Sequence, residues 1–210
     1  SKAIDSYGDR VFTIVTATDV ELLDSELTQS KRIDLRVEVP ELDKEARRFY
    51  IEKLLEKPHD KAIDLSKVVR YVSGMNLDEL ERLIREVAIH AIKKDADEIK
   101  EEMIIEEINI IKYGQKLDSK RMKNFDEDLK MTAYHEAGHA VLSHILLPDV
   151  KIEQVTITPR AGALGFVSYN TDEMETSTTK DEIFNNICVL MAGRLVQIRA
   201  FGESRGVDSG

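Results

Sequence analysis

The feature that most constrains this 210-residue chain is a five-residue pattern, His135-Glu136-Ala137-Gly138-His139, inside a run of helical spacing from about Asp128 to Leu147 that Pro148 ends. Residues four apart share one face of a helix, so both imidazoles reach the same point and Glu136 lies beside it. For a chain with 5 histidines the pattern arises by chance about once in eighty such sequences. Gly138 adds weight, because glycine in a helix interior costs about 1 kcal/mol relative to alanine and needs a packing or functional reason. Two imidazoles so placed suit one Zn²⁺ at about 2.0 to 2.1 Å, with Glu136 as the general base that takes a proton from water and passes it to a leaving amine. The chemistry implied is metal-assisted peptide hydrolysis.

A catalytic zinc takes a third protein ligand. The downstream carboxylates are Asp172, Glu173, Glu175, Glu182, Glu203 and Asp208, and spacing alone selects none of them. His144 lies about 180° round the helix from His135, so it belongs to another face, as a helix-end cation or a core residue. His59 and His90 stand alone and read as ordinary structural histidines.

Other classes are disfavoured. The net charge of -10 argues against nucleic acid as a partner. No run approaches the roughly 18 apolar residues of a membrane span, and no leader-like segment opens the chain, so this piece reads as soluble. The one cysteine, Cys188, rules out an internal disulfide or a cysteine-based zinc site and reads as a small core residue.

Charge is dense up to Lys130 and sparse from Met131 onward, which suggests two units. The first opens with a β-branched run, Arg10 to Ala17, that reads as a short buried strand, and a second such run, Arg36 to Val39, ends at Pro40. Strands this short need partners the chain does not visibly contain, so the start reads as a fragment of a larger α/β domain, or of one with segments missing. Helical stripes follow over Asp43 to Lys57, Asp64 to Val72, Leu77 to Ile92 and Met103 to Tyr113, with stops at Gly74 and Gly114, as in a small four-helix bundle. The charged stretch from Lys93 to Glu102 reads as solvated surface. Beyond a polar linker at Asp118 to Asp128 and the His135 helix, Ile152 to Thr158 and Leu164 to Tyr169 flank Pro159-Arg160-Ala161-Gly162 as a hairpin. A capping box, Thr179 to Glu182, opens a last helix with Ile183, Ile187, Leu190 and Met191 on its inner stripe. The hairpin segment 157–169 is a candidate edge for an extended polypeptide, or a simple cover for the core. Ala192-Gly193 reads as a close-approach point between the last helix and the His135 helix, a packing role.

Four motifs in order, His135 to Ala140, Val155-Thr156-Ile157-Thr158-Pro159-Arg160 with Ala163-Leu164-Gly165, Met191-Ala192-Gly193-Arg194, and Phe201-Gly202, resemble the peptidase domain of the FtsH family of membrane-anchored, ATP-dependent zinc metalloproteases. The resemblance implies a third ligand, an aspartate, after a Gly-Ala-Ser-Asn stretch that would begin at Ser209-Gly210. Asp208 precedes that position and takes no ligand role, so the third ligand and further helices are expected beyond Gly210. Val15 to Asp19, Leu23 to Leu27 and Arg32-Ile33-Asp34 resemble the late part of an AAA+ ATPase module, and the four helices its lid. Arg32 matches the second of two arginine fingers, which stabilise charge on a neighbouring subunit's ATP. Gln29 occupies the first finger's place and Asp19 that of a sensor asparagine, which marks a divergent member. Read without the resemblance, Arg32 is a surface partner for Asp34 or Glu38.

The expectation is therefore a mostly α fold with small β elements. Residues 1–41 end an AAA+ α/β core, 42–116 form its helical lid, 117–128 a linker, and 129–210 the first part of a helical zincin-like peptidase domain with a β-hairpin. The implied activity is ATP-dependent zinc endopeptidase action on protein or peptide substrates, using Zn²⁺ and ATP with Mg²⁺. The implied assembly is a homo-hexamer on the cytoplasmic face of a membrane, its anchor and phosphate-binding loop upstream. The alternatives are a non-proteolytic ATP-driven unfoldase or assembly factor that keeps the peptidase fold as a scaffold, and a small structural zinc domain, which would favour four closed ligands.

Overall fold

The computed structural model describes residues 12–19, 23–24, 35–118, 123–161, 163–170 and 178–204. The chain divides into two compact units, Ser1–Pro40 and Glu41–Gly210. In the first, residues 12–17 and 35–40 carry no strand, and Phe12, Ile14, Val37 and Val39 are exposed. The two strands expected at Arg10 to Ala17 and Arg36 to Val39 are thus absent from the described residues, Arg10 and Val11 lying outside them. A β-branched run forms a strand only when a neighbouring strand takes its N–H and C=O groups, and the described residues supply none.

The second unit is mostly helical with a small two-stranded antiparallel sheet. Its described elements are α1 Lys44–Leu54, α2 Leu65–Tyr71, α3 Leu77–Lys93, α4 Glu101–Tyr113, α5 Phe125–Leu146, β1 Ile152–Thr156, β2 Phe166–Tyr169 and α6 Lys180–Phe201.

The first three helices start where a short polar side chain can take a free N–H, whereas α4 has Lys100 at its start and no side-chain cap. Asp43 caps α1 by accepting from Ala46 N–H at 2.7 Å, and Asp64 caps α2 through Lys67 N–H. Asn76 and Glu79 form a reciprocal capping box on α3, both bonds 2.9 Å. Leu80, Leu83, Val87 and Ala91 then fall on one face of α3 and are buried. They meet Ile51, Leu54, Val68, Val72, Ile104 and Ile108 in one aliphatic core. Full burial of such a side chain contributes about 1.5 to 3 kcal/mol. The Lys93 to Glu102 stretch is not wholly solvated surface: Ile99 is buried and pairs with His59 as an isolated bridge. Helix α4 ends at Gly114, whose φ of 85° suits a residue without a side chain.

Helix α5 begins at Phe125, earlier than the Asp128 expected, with Asp126, Glu127 and Asp128 in its first turn complementing the helix dipole. The hairpin pairs Ile152 with Tyr169, Gln154 with Ser168, Val155 with Val167 and Thr156 with Phe166, with a bulge between Ile152 and Gln154. Both strands pack on α5. Helix α6 opens with the expected Thr179–Glu182 capping box and lies along α5. Its inner stripe differs from the expected one. Val189, Ala192, Gly193 and Gln197 are buried, while Ile183, Ile187, Leu190 and Met191 are exposed. The side facing α5 is the one with small residues, because the two axes must come close there.

The helical part and the hairpin part are stitched together. Tyr71 Oη donates to Glu153 O at 2.9 Å, Tyr113 stacks on Phe166, and residues 115–117 run antiparallel to 159–161 through Leu117 N–H to Pro159 O and Ala161 N–H to Gln115 O. Among the described residues no helix is long and apolar enough to cross a membrane.

Candidate metal centre

One helical turn of α5 carries His135, Glu136 and His139. The two Nε2 atoms lie 3.0 Å apart, with the rings 73° from coplanar. His139 Nδ1 is 2.8 Å from Val189 O, a carbonyl of α6. A carbonyl accepts only, so Nδ1 carries the hydrogen and, in the neutral ring, Nε2 keeps its lone pair for a ligand.

The His135 pKa is held below its ordinary value by burial and by the neighbouring His139, against an opposing pull from Gln197. Desolvation therefore favours the neutral imidazole, the form that binds metal. His135 Nδ1 is buried and has no well-aligned hydrogen-bond partner. Gln197 is itself anchored, donating from Nε2 to Met131 O at 3.0 Å.

Glu136 is 8% exposed, and burial pushes its carboxyl up to about 7. A carboxyl with that pKa is poised to take or give a proton near neutrality. Its Cγ is walled by the hairpin: a Cβ built on Gly165 would stand 3.0 Å from it, 2.7 Å from Thr132 Cγ2 and 2.8 Å from Thr156 O. Only a residue with no side chain lets that backbone lie so close.

Whether the residues fit a zinc ion is decided by two distances. Two nitrogens at about 2.05 Å from a tetrahedral ion are about 3.3 Å apart, close to the 3.0 Å separation of the two Nε2 atoms. The space before them is kept clear by Gly193, whose built Cβ would lie 2.6 Å from both Nε2 atoms. Helix α6 thus faces the imidazoles with bare backbone at the point where a ligand would sit, and the pair fits zinc.

Among the described residues no set of three or more His, Cys, Asp or Glu side chains is arranged to hold a metal. Asp172, Glu173, Glu175 and Asp208 lie outside the described residues, as do Gln29, Arg32 and Asp34. Glu182 serves the α6 capping box instead. Asp19 is exposed in the first unit, and His144 is exposed in the last turn of α5. His59 Nδ1 lies 2.8 Å from Lys57 O, and His90 Nδ1 2.6 Å from Glu107 Oε1, so both serve local structure. Cys188 is half-buried.

The site also uses residues that sequence reasoning did not assign to it. Val189 acts through its carbonyl and so leaves no side-chain signal. Gly193 was legible as a close approach but not as the residue facing both Nε2 atoms. Gln197 completes the 189, 193, 197 row of α6, and a polar residue in that buried row was the available clue.

Residues 122–210 match Peptidase family M41. The chain is 31% identical over 198 residues to "ATP-dependent zinc metalloprotease FtsH 1" of Alkaliphilus metalliredigens, covering 93% of this chain and 33% of that protein. It is 32% identical over 204 residues to "ATP-dependent zinc metalloprotease FtsH 2" of Methylacidiphilum infernorum, covering 95% and 31%. It is 31% identical over 191 residues to "ATP-dependent zinc metalloprotease FTSH 11, chloroplastic/mitochondrial" of Arabidopsis thaliana, covering 90% and 23%. The chain therefore spans a third or less of the length of these relatives.

Proposed function

This chain belongs to the FtsH family, and from that premise we propose that it carries the ligand pair and the general base of a zinc endopeptidase driven by ATP. The observation behind the reading is the convergence of His135 and His139 Nε2, 3.0 Å apart before the bare backbone of Gly193, with the buried Glu136 carboxyl in the same helical turn. His135 and His139 would hold the ion, each as the neutral ring, and a third ligand completes the set. When bound, zinc supplies Lewis acidity that makes water easier to deprotonate and a peptide carbonyl easier to attack. Glu136 takes the proton from water onto a carboxylate oxygen and returns it to the departing amine nitrogen. Its burial keeps the proton on the carboxyl between those two transfers.

Within the same proposal, residues 1–41 end an AAA+ core, 42–116 form its lid, 117–128 are the linker and 129–210 begin the peptidase. ATP with Mg²⁺ powers delivery of protein substrates through a homo-hexamer on the cytoplasmic side of a membrane. Arg32 and Asp19 take part in nucleotide sensing. The competing reading, an ATP-driven unfoldase without proteolysis, draws on Asp19 and Gln29, which depart from the family's ATPase pattern. The intact His135-Glu136-His139 set weighs against it, since a scaffold has no use for all three.

Casein hydrolysis by the full-length protein with ATP, beside Glu136→Gln, separates the two. The protease reading expects the variant to lose about 100-fold or more while ATP hydrolysis persists. Equal casein turnover by both proteins, or none by wild type with ATP hydrolysis intact, gives the unfoldase reading the better claim.

A further inference from the structure

Arg160 lies in the turn between β1 and β2, yet it is 3% exposed and its guanidinium reaches the helical part. Nη2 donates to Glu106 Oε2 at 2.9 Å, and Nη1 to Gly114 O at 3.1 Å, the carbonyl at the end of α4. Lys116 Nζ meets the same Glu106 oxygen at 2.8 Å. One buried guanidinium thus binds both the side chain and the terminal backbone of α4, a fork-like use that a lysine cannot reproduce. Breaking such a contact leaves a charge buried without its partner, so the arrangement resists partial opening.

The same residue fixes the turn it belongs to. Arg160 N–H donates to Ala163 O at 2.8 Å, and Ala163 N–H returns to Arg160 O at 3.2 Å. Two residues on, Gly165 lies against Thr132 and the Cγ of Glu136. From α4 to Glu136 there is therefore a continuous series of contacts: Glu106 and Gly114, Arg160, the closed turn to Ala163, then Gly165. Packed contacts this tight transmit displacement rather than absorb it.

We propose that Arg160 is a positioning residue that latches the turn over Glu136 to the end of α4, so that the four-helix part sets how the Glu136 carboxylate is presented. The proposal rests on Glu136 being the base, as argued above. A movement of α4 is felt at Gly165, and a shift of the hairpin is resisted by Glu106. The latch gives the four-helix part a mechanical say in when the peptidase site is competent.

The test uses the zinc-loaded full-length protein, a short unstructured peptide as substrate, and amide hydrogen exchange as a second readout. Arg160→Met is expected to lower kcat about tenfold or more, since small misplacements at a reacting group cost that much. KM and zinc content stay at wild-type values, and exchange quickens at 160–165 and at 132–136. Arg160→Lys recovers part of the loss, and Glu106→Gln gives a weaker form of the same pattern. If Arg160→Met does not fold, Glu106→Gln decides: lower kcat at constant KM upholds the latch, and wild-type kinetics overturn it. Wild-type kinetics in a folded Arg160→Met also overturn it, as does a loss of zinc in parallel with activity. Should wild type itself not cleave the peptide, the protease reading fails separately. The exchange data then judge the latch alone: faster exchange at 132–136 supports it, and unchanged exchange there refutes it.

Discussion

The four-helix part, α1 to α4, and the pair α5 and α6 are built from the same kinds of residue and packed on opposite principles. In the first, Ile51, Leu54, Leu80, Leu83, Ile104 and Ile108 interdigitate with almost no exposure, and Arg47, Glu107 and Asn109 are buried beside this aliphatic core. In the second, the contact is made by Gly138, Ala192 and Gly193 with Gln197 buried in it, and Thr132, Glu136 and Ser143 are buried on the side of α5 that meets the hairpin. A Cβ on Gly138 would come within 3.0 Å of Ala192 O and of Val196 Cγ2, so the axes are as close as side chains permit. Large apolar residues such as Ile145, Phe184 and Leu190 are left facing outward. The first region spends its apolar surface on filling volume, and the second gives up that filling to bring polar groups and bare backbone together.

The contrast breaks most visibly at Leu83. Leu83→Ala in α3 is expected to lower unfolding free energy by about 2 to 5 kcal/mol, the cost of a cavity in a filled core, and to leave zinc affinity of the folded protein untouched. Urea titrations with parallel metal analysis check both halves, and a change in zinc affinity would mean the two regions are not separable. A smaller effect sharpens the comparison from the other side, because both regions start helices in the same way. Asn76→Ala removes the cap of α3 and is expected to cost about 1 kcal/mol by thermal or urea unfolding. Thr179→Ala acts in the same direction on α6.

The smallest effect lies at the junction between the regions. Burial pushes the Glu106 carboxyl up, but its pairs with Lys116 and Arg160 outweigh this and hold it below its ordinary 4.5. A depressed carboxylate contributes stability that is fully present above its unfolded value and is lost as pH falls through the folded one. Wild type should therefore lose stability below about pH 4.5 more steeply than Glu106→Gln, as urea midpoints across that range would show. Parallel curves would remove the ion pair from the account.

Local physics made most helices legible: Asp43, Asp64 and Thr179 stand at the starts where their side chains cap, and Gly114 stands at a stop. The ligand pair was legible because two residues four apart on one helix share a face whatever surrounds them. What depended on distant partners was not. The β-branched runs at Arg10 to Ala17 and Arg36 to Val39 have the composition of strands, but pairing is decided by a neighbour. The inner face of α6 was misread because apolar size usually points inward, whereas here the facing imidazoles demand glycine. The Gly165 contact with Glu136 and the reach of Arg160 to Glu106 span long separations in sequence, and no local pattern encodes them.

The central claim is that α6 faces the imidazole pair with bare backbone so that a metal can be held there. It is tested most directly by zinc titration of the full-length protein, wild type against Gly193→Ala and His139→Ala, with unfolding curves to confirm that each is folded. The account predicts about one tightly held zinc per subunit in wild type, about 100-fold weaker binding in Gly193→Ala and none at that site in His139→Ala. Equal zinc affinity in wild type and Gly193→Ala would contradict it.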